Sequence, residues 1–90
     1  MNELKSLRNE IDKVDRELAA LFLRRMELVE KISLYKKEQV LPVFDQKREE
    51  EMQASLTAAF PRADLLPYYR RFVGMLLLLS KEYQRNGGGI

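Results

Sequence analysis

From Asn2 to Gln39 the chain runs without a proline or a glycine. Leucine, glutamate, lysine and arginine dominate the stretch, and all are good helix formers. Apolar residues recur there in a heptad. One line is Leu4, Ile11, Leu18 and Ile32, interrupted by Arg25; the other is Leu7, Val14, Leu21, Leu28 and Tyr35. This is the sustained stripe of a single helix. Such a helix is roughly 55 Å long, whereas a compact domain of this size is roughly 25–30 Å across. The helix must outrun the core that its own chain can build. The economical remedy is a second copy, with two long helices side by side and the shorter ones around them. An obligate homodimer is the expectation.

Pro42 ends the first helix. A second helix is expected from Asp45, a residue suited to an N-cap or first turn, to about Ala59. "FPRADLLP", residues 60–67, reads as a loop. A third helix starts close to Leu65 and runs to about Arg85, where Asn86 and three glycines follow. No segment alternates as a strand would. The expected fold is all-α, three helices (one long, two short) in an intertwined homodimer. Residues 1–85 form the helical domain, and 86–90 a flexible glycine-rich tail.

What is missing narrows the chemistry. The 90 residues contain no cysteine and no histidine. A disulfide framework, a zinc site and a histidine-activated nucleophile are therefore not expected, nor is any cofactor. The longest apolar run, Met75 to Leu79, is too short for a membrane span, and the start lacks a signal-peptide pattern. A cytoplasmic protein is the expectation. Net charge is only +2, with the signs interspersed, so no nucleic-acid-binding stripe is read.

The informative residues are polar ones on apolar faces. Arg25 and Lys36 fall within the first helix's stripe, roughly 16 Å apart along the axis and nearly aligned. On the third helix Leu66, Tyr69, Val73, Leu76 and Leu77 form a stripe that Ser80 and Gln84 continue. On the second, Met52 and Leu56 mark the inward face, and Asp45, Arg48 and Glu49 lie around that side. Each alone has a structural explanation. A buried arginine can fix oligomer register, a serine is tolerated on a core face, and a glutamate on a helix is commonly solvated. Together they suggest a closed polar cavity, lined mainly by cations with one carboxylate pointing in. Arginine binds carboxylates in a planar fork and lysine supplies a point charge, so a small dicarboxylate would suit it.

These residues also carry a resemblance. "LRNEIDKVDRELAALFLRRMELVEKISLYK", then "PVFDQKREEEM", then "SKEYQ" are similar to the all-helical class of chorismate mutases, including the mutase domain fused to prephenate dehydratase in some bacteria. The likeness runs from about Leu4 to Gln84. It implies a unimolecular Claisen rearrangement of chorismate to prephenate, which needs no proton transfer and no covalent step. It implies that Arg25 binds a substrate carboxylate and that Arg8 of the other subunit helps clamp it. Lys36 and Gln84 would donate to the ether oxygen. Glu49 and the backbone near Asp45 would take the ring hydroxyl, and Arg48 and Ser80 would complete the polar shell. The position of Arg8 agrees with sharing. It lies seventeen residues before Arg25, roughly 25 Å along the helix and about 100° around it, so an antiparallel partner helix is needed to bring it to the same ligand.

Two other readings compete. Isochorismate pyruvate lyases resemble the chain on the same fold, but Glu49 favours the mutase, since the lyases carry an apolar residue there. A non-catalytic helical module, binding a metabolite or a partner, would be expected to have apolar residues in place of Arg25, Lys36 and Gln84. A regulatory partner enzyme is compatible with the chain but has no mark in it.

Overall fold

The computed structural model describes residues 2–87. It consists of α1 (Glu3–Glu38), α2 (Gln46–Ala58) and α3 (Leu66–Arg85), with no strand among the described residues. Local chemistry accounts for the limits. Asp45 is extended and its carboxylate accepts from Arg48 N at 3.0 Å, an N-cap for α2. Pro67 sits in the first turn of α3, where a missing N–H costs nothing. Gly87 takes a positive φ of 84° and donates to Gln84 O, closing the end of α3. Asn86 and Gly87 thus belong to the cap; residues 88–90 of the expected tail lie outside the described residues.

Side-chain pairs give the directions. Arg25 meets Leu76 and Ser80, and Tyr83 donates to Glu30, so α3 runs parallel to the second half of α1. Lys81 meets Glu49 while Phe60 stacks on Tyr69 at 4.4 Å, so α2 folds back antiparallel to α3. The molecule measures 57 × 29 × 16 Å, its long axis matching the 36 residues of α1. Residues 3–24 are exposed throughout, with Leu7 at 50% and Leu21 at 60%. Among the described residues the buried apolar ones are Val29, Val73 and Leu77, and Ser33, Ser80 and Gln84 are comparably buried. The interior of one chain is therefore as polar as it is apolar, and it lies at one end of α1.

That end is closed by an uncommon residue. Leu41 N donates to Lys36 O at 2.7 Å and Val40 N to Lys37 O at 3.3 Å, the paired bonds of a Schellman turn. The left-handed position is filled by Val40, φ 56°, and not by glycine. A β-branched residue there is strained by about 1–2 kcal/mol, and its side chain, 89% exposed, gains nothing in return. Val40→Gly should stabilise the fold by about 1 kcal/mol after the extra chain entropy of glycine is deducted. Urea unfolding at one fixed protein concentration measures it; an unchanged or lower midpoint would contradict the strain.

Candidate active site

The interior end of the three helices surrounds a cavity of about 300 Å³. α1 contributes Arg25, Val29, Ile32 and Lys36; the cap and first turns of α2 contribute Asp45, Arg48, Glu49 and Met52; α3 contributes Leu77, Ser80, Lys81 and Gln84. Val43 completes the wall from the loop. Every polar residue singled out on the inward faces is here. Arg8 is not: it lies on the exposed half of α1, and nothing in its own chain carries it to the cavity.

Each polar group is held by its helix. Arg25 Nη1 donates to Ser80 Oγ and, at 3.4 Å, to Leu76 O. Ser80 can accept because its own hydroxyl donates to Leu76 O at 2.7 Å. The guanidinium is thus aimed by one turn of α3. Its pKa is pushed below the ordinary arginine value, chiefly by burial and then by the neighbouring charge of Arg48. Both causes penalise the cation, and a bound anion would offset both. Lys36 Nζ donates to Val43 O at 2.8 Å, which spans the turn at Val40 and leaves further donors on the ammonium. Gln84 is buried, and its Oε1 has no hydrogen-bond partner. Such an orphan costs about 1–3 kcal/mol in a finished core.

Three features depart from the sequence reading. The cavity is not closed within one chain, and much of its wall is apolar. It holds two acidic residues and not one, although Asp45 spends an oxygen capping α2. It also holds a further cation, Lys81, whose Nζ lies 3.3 Å from Glu49 Oε1 and 4.8 Å from the centroid of Phe44. The signal for Lys81 was present, since it stands four residues after Leu77 and three before Gln84. A lysine beside a stripe commonly extends into water, so its spacing alone did not mark it.

Arg25, Lys36, Arg48 and Lys81 against two carboxylates make a cation-rich site for a small anion. Without histidine or cysteine it has no activated nucleophile. What it can do is orient an anion and stabilise negative charge that develops during a reaction. Among the described residues no group of side chains could hold a metal ion, and no helix is long and apolar enough to cross a membrane.

The fold and site thus define a helical domain with a cation-rich cavity suited to an anion. Comparison with known proteins gives it a family. The chorismate mutase type II family matches residues 7–85, and the chain belongs to that family. It is 32% identical, over 91% of its length, to a bifunctional chorismate mutase/prephenate dehydratase of Aquifex aeolicus, of which it spans 25%. It is 47% identical over 54% of its length to the T-protein of Haemophilus influenzae, spanning 13% of that protein. A solved structure of chorismate mutase (form II) from Thermus thermophilus superposes with a TM-score of 0.86 at 35% identity, covering 91% of this chain and 93% of the other.

The strained electrostatics of Arg25 have a measurable consequence. Arg25→Met removes a half-buried charge that repels Arg48, and it leaves Ser80 bonded to Leu76. The variant should lose activity yet unfold no earlier than the wild type, as for binding groups held at the expense of stability. A thermal midpoint several degrees lower would show that the guanidinium braces the fold.

Proposed function

We propose that this chain is a chorismate mutase that works as a homodimer with two shared sites. The observation that carries the reading is the convergence of Arg25, Lys36, Arg48, Glu49, Ser80 and Gln84, from three helices, on one cavity of about 300 Å³. The substrate is a dicarboxylate whose ether C–O bond breaks as a C–C bond forms within the same molecule. No proton is exchanged, so the missing histidine and cysteine are no handicap. Arg25, steadied by Ser80, holds one carboxylate, and Arg48 adds charge beside it. Lys36 and Gln84 donate to the ether oxygen, where negative charge grows in the transition state. Glu49 and the backbone near Asp45 take the ring hydroxyl. The cytoplasm is the setting such a site suits.

The dimer completes both the core and the site. An apolar groove of about 560 Å³ runs between α1 and α3, lined by Leu18, Leu21, Phe22, Phe72 and Leu76 among others. Arg25 lies on its wall as well as on the cavity's. A second α1 lying antiparallel, with its crossing point between Arg16 and Glu17, sets Arg8 of one copy beside Arg25 of the other. The same register sets Ile11 against Phe22, Val14 against Ala19 and Leu7 against Met26. Asp15, which also lines the groove, faces Leu18 in this register.

Mixing two inactive variants tests this directly. Arg8→Ala and Arg25→Ala chains should each turn over chorismate poorly. After subunit exchange, mixed dimers regain one intact site and lose both arginines from the other. Isochorismate serves as the control substrate, and preferential release of pyruvate from it would favour the lyase reading. No recovery despite demonstrated exchange would exclude sharing of the site.

Gln84 has its own signature. Glutamine donates without titrating, but a glutamate in its place donates only when protonated. Gln84→Glu should therefore lose about a hundred- to thousand-fold in kcat at neutral pH, the scale of removing one oxyanion donor, and recover as pH falls. The wild-type profile should be comparatively flat from about pH 5 to 8, where the amide carries no charge. An undiminished, flat profile in the variant would remove Gln84 from the ether oxygen.

A further inference from the structure

Lys81 has no part in the roles above, yet it is the residue that Glu49 actually bonds. The ammonium is 3.3 Å from Glu49 Oε1, and the two side chains are only 21% and 19% exposed. A pair so sheltered is screened less than a surface pair. Nζ also sits 4.8 Å from the Phe44 ring centroid, within cation–π range. Phe44 follows Val43, whose carbonyl takes Lys36. Two lysines from different helices therefore pin the loop that leads into α2.

The surroundings of Glu49 give this bond a purpose. Facing the cavity with it are Arg48 and Asp45 from its own helix and cap, Arg25 and Lys36 from α1, and Lys81 from α3. Asp45 is engaged at the N-cap through Oδ1. A flexible carboxylate among three other cations would be drawn to them, and a carboxylate on Arg25 or Arg48 would compete with the substrate's own. We propose that Lys81 is a positioning residue for the reaction: it holds Glu49 by one carboxylate oxygen, away from the arginines, so that the other oxygen is left to accept the substrate's ring hydroxyl. This rests on the reading of Glu49 as the hydroxyl acceptor. The division of labour assigns Lys81 to the protein's own carboxylate and leaves Arg25, Arg48 and Lys36 to the ligand.

The test separates positioning from bracing. Lys81→Met keeps the length of the side chain and removes its charge; Lys81→Arg keeps the charge. The Lys81→Met variant should lose about tenfold in kcat/KM through a misplaced Glu49 carboxylate. Lys81→Arg should restore wild-type kcat/KM. In a Glu49→Gln background, Lys81→Met should add less than about threefold, since the two act as one unit. A loss of the same size in both backgrounds, or one that Lys81→Arg does not rescue, would overturn the proposal. So would an unimpaired Lys81→Met. If the methionine variant does not fold, Lys81→Gln is read by the same criteria. Glu49→Gln with wild-type turnover would overturn the assignment of Glu49 itself, whatever Lys81 does.

Discussion

The architecture depends on one mismatch of lengths. α1 extends through 36 residues, and α3 covers only its second half. Along the first half the heptad leucines face outward, and among the described residues the buried apolar interior reduces to Val29, Val73 and Leu77. In the proposed dimer, a second copy covers from without what the chain cannot cover from within. What the short helices do enclose is the end where polar residues replace apolar ones. One region of α1 thus leaves an apolar stripe uncovered while the other lines the polar cavity, and Arg25 stands at the boundary.

The polar end is arranged so that few groups need to move. Ser80 turns Arg25 by accepting from it while donating to Leu76. The Val43 carbonyl holds Lys36, and Asp45 fixes the first turn of α2. These bonds set donors in place before any charge develops, which is the condition under which electrostatic stabilisation is most effective. The cost is visible in the same residues. Arg25 is destabilised as a cation by burial and by Arg48, Gln84 carries an unpaired carbonyl, and Val40 is held in a left-handed turn.

Most of the fold was readable because its determinants are local. Asp45, Pro67 and the Asn86–Gly87 cap fall within a residue or so of the expected helix limits. The helical period alone identified the faces bearing Arg25, Lys36, Glu49, Ser80 and Gln84, and these faces do meet at one cavity. What could not be read depends on contacts between elements. No periodicity says that α3 runs parallel to α1 and α2 against it. Lys81 has the spacing of an inward residue, but only the nearness of Glu49 and Phe44 turns it in. Val40 escaped notice for the opposite reason: its intrinsic preference argues against the conformation that the chain imposes.

The shared wall at Arg25 ties chemistry to encounter. Because the guanidinium borders both the ligand cavity and the groove that a second α1 fills in the proposed dimer, an unpaired chain on that reading holds only part of a site. Catalysis then has a kinetic order in the protein itself. When chains are scarce, the rate scales with the square of their concentration, and it becomes first order only once pairing is saturated. Dilution alone is enough to silence such an enzyme, with no inhibitor and no change of fold at the ligand's end.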